Sequence, residues 1–160
     1  MVDASIHKEF AALEISNVPI FSFRNRCFWC RVVKVYDGDT ITGVIKVDGV
    51  FYKIPIRLSG VDACELRSKN SSLLSRAISC RERLKQLLGF DDKDTLCMVW
   101  VKCLQNDKYG RVLGDVYKSP EDKTRVQDIL LEENQVYAYK GGTRKTEDEQ
   151  EEFFKKINAA

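Results

Sequence analysis

The sequence predicts an α+β fold in which five strands form a small β-barrel with α-helices packed against it. Three observations lead there. Three β-patterned runs joined by Asp-Gly pairs come first, one long segment of helical periodicity follows, and two further β runs precede two helix starts. A chain of 160 residues, 44% hydrophobic and 31% charged, suits one domain with one sizeable core. Periodicity alone leaves other α+β topologies open.

Residues 1–29 read as an N-terminal extension, with a short helix near Ile6 to Leu13 before Asn17, Pro19 and Asn25 interrupt regular structure. The run Phe23-Arg24-Asn25-Arg26-Cys27-Phe28-Trp29 interleaves basic and aromatic residues, as nucleic-acid surfaces do, but reads better as an added packing segment. Valine-rich Arg31 to Tyr36 is the first strand, and Asp37-Gly38 turns the chain into a second from Ile41 to Val47. Asp48-Gly49 is a hairpin signal, because both turn positions need positive φ. The third strand, Val50 to Leu58, should place Val50, Tyr52, Ile54, Ile56 and Leu58 on one face and Arg57 exposed on the other. Pro55 lacks a backbone donor, so a bend or bulge is expected there.

Leu73, Ala77, Cys80, Leu84 and Leu87 recur at helical spacing up to Gly89, a helix stop. Thr95 to Leu104 and Val112 to Tyr117 read as paired strands. Thr124 with Gln127 has the spacing of a capping box for a helix that Asn134 ends, and Thr146 with Glu149 repeats it for a final helix. Three strands, a helix, two strands and a second helix match the barrel of oligonucleotide-binding folds.

The chemistry-bearing residues lie in three segments. Asp39 and Asp62 are oxygen donors for a hard cation. Glu65 can activate or position water, and Arg57 and Arg111 can clamp a phosphate through planar guanidinium forks. Together they form a kit for metal-assisted phosphodiester cleavage. Each residue also has a plainer account: Asp-Gly pairs make ordinary turns, Glu65 can be a surface acid, and Asp107 and Gly110 are good turn residues.

Order and spacing decide between these accounts. Tyr36-Asp37-Gly38-Asp39-Thr40, then Arg57-Leu58-Ser59-Gly60-Val61-Asp62-Ala63-Cys64-Glu65, then Asp107-Lys108-Tyr109-Gly110-Arg111 resemble, in register, the motifs of the staphylococcal nuclease (thermonuclease) family. The resemblance covers about Cys30 to Arg144 and selects the oligonucleotide-binding type of barrel: residues 30–144 as the nuclease domain, 145–160 as a helix packing on or flanking it. It implies Ca²⁺ held by Asp39, Asp62 and the backbone carbonyl of Ala63, with Asp37 and Thr40 as supporting groups. It also implies Arg57, Glu65 and Arg111 as catalytic residues, with Lys108, Tyr109, Tyr137 and Tyr139 contacting nucleic acid. Where the family commonly has Thr-Pro, this chain has Ala63-Cys64, which should loosen the loop that positions Glu65.

Composition narrows the chemistry. The single histidine excludes mechanisms that need a histidine pair, and a net charge of +2 means that attraction for nucleic acid must be local. Six cysteines without an export signal suit reduced thiols in a cytoplasmic protein of a cell, or of a virus replicating inside one. Cys27-Phe28-Trp29-Cys30 has redox or zinc spacing but no second pair to complete a site, and reads as strand thiols. No membrane segment is expected, no protein partner is inferable from the sequence, and the chain reads as a monomer. The expected activity is a Ca²⁺-dependent endonuclease on DNA and RNA that prefers single strands and leaves 3′-phosphate ends. The alternatives are a catalytically inactive nuclease-like binding or protein-interaction domain, and a single-strand-binding barrel, which the weak charge disfavours.

Overall fold

A computed structural model describes residues 4–93 and 95–159; the part of the N-terminal extension before Ala4 lies outside the described residues. In chain order the elements are α1 (Ala4–Ala11), β1 (Cys27–Val35), β2 (Thr40–Val47), β3 (Val50–Leu58), β4 (Val61–Asp62), α2 (Ser71–Leu88), β5 (Cys97–Asn106), β6 (Val112–Tyr117), α3 (Val126–Glu132), β7 (Tyr137–Ala138) and α4 (Glu147–Asn158). A short 3₁₀ turn, Ile15–Asn17, follows α1.

β1, β2 and β3 form an antiparallel meander, and the ring β1-β2-β3-β6-β5 closes into a barrel. Closure depends on one parallel pairing, in which Ile56, Arg57 and Leu58 of β3 face Val112, Leu113 and Gly114 of β6. Asp48 and Gly49 both take positive φ, 49° and 86°, as the hairpin requires. Pro55 makes no bulge: the β2–β3 register runs unbroken through Thr42↔Pro55. β6 pairs with β3 only from Ile56 onward, so at Pro55 one side of the strand has no partner to miss a donor. Register shifts lie instead in β1, between Val32 and Lys34, and in β5, between Cys103 and Asn106.

The expected alternation of β3 is not kept, because Ile56, Arg57 and Leu58 at its end are buried in succession. Ile56 and Leu58 are buried, while Val50 and Tyr52, near the hairpin tip, extend past the barrel into solvent. Fully buried Ile41, Ile45, Ile56, Leu58, Val99 and Val101 fill the barrel, each apolar side chain contributing about 1.5–3 kcal/mol.

α2 stoppers one end of the barrel with Cys80, Leu84, Leu87 and Leu88, between an Asn70 cap that accepts from the amides of Ser72 and Leu73 and a left-handed Gly89. α3 starts later than the Thr124–Gln127 spacing predicts, because Gln127 is used elsewhere. Its side chain is buried, accepting from Val116 N at 3.2 Å and donating to Gly114 O at 3.1 Å, which satisfies the β6 edge beyond the end of β3. Asp128 meets the Arg125 backbone amide in its place. α4 opens as expected, with Thr146 and Glu149 capping reciprocally. It buries Phe154 against Tyr137 of β7, which pairs with β4.

The extension packs where it nears the barrel: Phe23 meets Phe28 edge to face, and the Arg26 guanidinium lies 5.1 Å over the Phe28 ring. α1 buries no side chain. Among the described residues no helix is long and apolar enough to cross a membrane.

Candidate active site

Three chain segments meet at one rim of the barrel: the turn from β1 to β2, the β4 segment with the loop after it, and the loop after β7. In the first, Asp37 Oδ1 accepts from the Asp39 amide at 3.1 Å, closing a tight turn. Gly38 is required by contact. A Cβ there would sit 2.3 Å from Cys80 Sγ and 2.9 Å from the Ala63 Cβ, so only glycine lets the turn lie between α2 and the acid loop.

The turn delivers Asp39 into a buried position. Its Oδ1 accepts from Thr40 Oγ1 at 2.9 Å and Arg57 Nη1 at 2.7 Å, and its Oδ2 from the Ala63 amide at 2.9 Å. Asp62, also buried, accepts from Arg57 Nη2 at 2.5 Å on Oδ1. One guanidinium therefore joins the two aspartates and sets them side by side. Arg57 is not the exposed strand residue that alternation predicts. It is 7% exposed, because the chain doubles back through Gly60 into β4 and covers the end of β3. The Val61 carbonyl accepts a further bond from Nη2 at 3.2 Å.

A second guanidinium completes the cluster. Arg144 bonds Asp62 Oδ1 at 2.7 Å through Nη2 and Oδ2 at 2.9 Å through Nε, and it pairs with Glu65 Oε1 at 2.5 Å through Nη1. It also reaches the Ala63 carbonyl at 3.5 Å. Gly141 and Gly142, at φ 94° and 90°, turn the chain back so that Arg144 returns over the acid loop. Neither the three motifs nor strand alternation singles out Arg144. The available signal was the glycine pair, which permits a reversal just before a cation. Arg144 ties down the loop in which Ala63-Cys64 stand, and the buried Cys64 thiol, pushed up to about 11 by burial, fills its base as a neutral apolar group.

On the other side of Arg57 lies an open cleft of about 910 Å³, lined by Arg57, Lys108, Tyr109, Arg111, Tyr139 and Arg144 among others. Asp107 builds the turn that presents Arg111. Its Oδ1 accepts from the amides of Tyr109 and Arg111, and its Oδ2 from Arg111 Nε at 2.6 Å. Among the described residues nothing takes the terminal amino groups of Arg111. Tyr109 is exposed between two cations, Lys108 Nζ at 5.1 Å and Arg111 Cζ at 5.6 Å from its ring.

Tyr137 and Tyr139 do not share a location. Tyr139 lines the cleft and donates to the Gly142 carbonyl at 2.7 Å. Tyr137 is buried beside Phe153 and Phe154, with its hydroxyl on Asp62 Oδ2. Tyr137 acts on the aspartate from below and offers no ring to a ligand in the cleft.

Burial strongly opposes ionisation of Asp39 and Asp37 adds repulsion, while Arg57 and the Ala63 amide favour the charge; the balance raises its pKa from 3.8 to about 7. A raised folded-state value means that this group's contribution to stability is fully present below pH 3.8 and is lost as pH rises through about 7. In cation-free protein, urea midpoints of wild type and Asp39→Asn should therefore diverge in the variant's favour between pH 4 and 7 and run parallel above. A pH-independent difference would show that Asp39 titrates normally. Burial works against the Arg144 charge, but Asp62 and Glu65 outweigh it and hold the guanidinium above its ordinary value.

The oxygen donors at this rim suit a hard cation in kind: two carboxylates and the Ala63 carbonyl, with no nitrogen or sulfur ligand among them. Among the described residues no three His, Cys, Asp or Glu side chains gather into a metal-binding group, so Asp39 and Asp62 would be the whole carboxylate share. Arg57 and Arg144 serve these oxygens as internal counter-cations.

Residues 55–160 match a family model described as staphylococcal nuclease homologue. No curated protein matches the chain.

Proposed function

Because the chain belongs to the staphylococcal nuclease homologue family and so carries a nuclease-type domain, we propose that it is a calcium-dependent endonuclease. It would cut DNA and RNA with little sequence preference, favour single strands, and leave 3′-phosphate ends. The observation that carries this is the cleft in which Arg57, Lys108, Arg111 and Tyr139 converge directly beside the acid loop.

Asp39, Asp62 and the Ala63 carbonyl would hold the calcium ion, which when bound neutralises and polarises the phosphate. Glu65 orients the attacking water and takes its proton as the new P–O bond forms and the bond to the 5′ oxygen breaks; the departing oxygen takes a proton from solvent. Arg111 donates its free terminal amino groups to the phosphoryl oxygens. Arg57 has five N–H donors, of which three are used by Asp39, Asp62 and Val61, so Nε and one Nη1 hydrogen remain for the phosphate. Tyr139 presents a ring to the neighbouring base.

The test is cleavage of a labelled single-stranded DNA with Ca²⁺ and with a chelator, beside Asp39→Ala. Calcium-dependent cutting that the variant loses is expected. One observation favours a second reading, an inactive binding domain: each Asp62 oxygen already has two partners, drawn from Arg57, Arg144 and Tyr137. Retained DNA binding with no cutting at any Ca²⁺ concentration would select it.

Arg144 should act on turnover through Glu65. Arg144→Ala is expected to lower kcat by about 10-fold or more with KM little changed, the mark of a group felt mainly in the transition state. In a Glu65→Gln background the same change should cost clearly less, since the Arg144–Glu65 pair is already weakened there and mainly the contacts to Asp62 and the Ala63 carbonyl remain to be lost. Fully multiplicative losses would mean that Arg144 acts independently of Glu65, through Asp62 or on the substrate itself.

A further inference from the structure

The outer wall of the barrel carries an aromatic row that the active site does not use. Trp29 of β1 stands opposite Trp100 of β5, and Trp100 opposite Tyr117 of β6, so three rings line up across three adjacent strands. Strand alternation turns all three outward, since Phe28, Cys30, Val99, Val101 and Val116 on either side of them are buried. The indoles meet edge to face with centroids 5.5 Å apart, and Trp29 remains 47% exposed. Trp100 and Tyr117 are half-buried, so the row presents one open ring continued by two partly open ones across the wall.

Charge and position say what the row is suited to. The charged residues of β1, β5 and β6 are Arg31, Lys34 and Lys102 against one acid, Asp115, whose carboxylate is already taken by Ser59 and Arg125. The wall is therefore cationic as well as aromatic. The same outward side of β5 and β6 runs from Trp100 and Tyr117 past Lys102 to Leu104 and Leu113, which line the active-site cleft. Four residues of strand span about 13 Å, or about four nucleotides at stacked spacing. A protein partner would match the aromatic rings but would have no reason to continue into a phosphate-clamping cleft.

We infer that Trp29, Trp100 and Tyr117 form a base-stacking platform for single-stranded nucleic acid, holding the strand about four nucleotides from the phosphodiester in the cleft. The platform rests on the nuclease reading for its direction, since the cleft supplies the other end of the track. Stacking on aromatic faces is sequence-tolerant, so the platform adds affinity and a minimum substrate length without adding base preference.

Trp29 and Trp100 are the only two tryptophans in the chain, so its intrinsic emission reports on this row. Full-length Glu65→Gln protein with Ca²⁺ would be titrated with a thymidine decamer and with a thymidine dinucleotide, binding being followed separately by anisotropy of labelled oligonucleotide. The decamer should change the tryptophan emission and the dinucleotide should not. Trp29→Ala and Tyr117→Ala should weaken decamer binding about 5- to 150-fold more than dinucleotide binding, and Trp29→Phe, which keeps a ring, should largely restore it. Bound decamer with unchanged emission, equal weakening for both lengths, or a dimer in sedimentation that Trp29→Ala dissolves would overturn the platform. A parallel assay of wild type on labelled strand separates the two claims. An emission response without cleavage keeps the platform and rejects the nuclease, and cleavage with silent tryptophans does the reverse.

Discussion

Arg57→Met is expected to destabilise the folded chain by about 3–5 kcal/mol, because it leaves two buried carboxylates without the cation that joins them. Asp39 would keep Thr40 and the Ala63 amide, and Asp62 would keep Arg144 and Tyr137, so the fold should survive. Asp39, already raised by burial, would then gain further stability from protonation. The loss measured by urea denaturation should therefore be largest near neutral pH and shrink as the solution is acidified. Arg57→Lys keeps the charge but can reach only one carboxylate at a time, and should fall between. Turnover should drop about 10²-fold or more in either variant, as for other preorganised charge donors. A stability loss below about 1 kcal/mol at pH 7 would place the pair among weak surface contacts and remove the bridge from the account.

Arg111→Lys should show the opposite balance, a large kinetic effect with little change in stability. The Asp107 turn is held mainly by two backbone amides on one carboxylate oxygen, and these bonds do not need the guanidinium. Lysine loses the fork that meets two phosphoryl oxygens at once, so kcat should fall about 10²–10³-fold while the urea midpoint scarcely moves. Measured on a substrate that also occupies the platform, KM should remain near its wild-type value. Equal kcat in variant and wild type would remove Arg111 from the chemistry.

The barrel was largely legible because its elements carry local signals. Asp48-Gly49, the Leu73–Leu87 stripe with Gly89, and the Thr146–Glu149 cap each sit where short-range physics puts them. Errors arose where a tertiary contact claimed a residue. Gln127 left its capping role to close the β6 edge, and Pro55 fell where β3 has one neighbour. The same distinction runs through the site. The motif residues could be found by order and spacing, but their burial could not. Strand alternation predicted an exposed Arg57, whereas β4 folds over it, and the pairing of β4 with β7 also draws Tyr137 inward onto Asp62. Arg144 carries no local signal, because its partners lie 82 and 79 positions away along the chain.

The parallel pairing of β3 with β6 has a consequence for how the chain acquires its shape. Ile56 meets Val112 only after the whole of α2 and β5 has been made, so the three-stranded meander emerges from synthesis with both outer edges unpaired. One of those edges carries Ile56 and Leu58, apolar side chains that the finished barrel hides completely. Closing so long a loop is entropically slow, and until it closes the nascent meander is a strand template open to other chains.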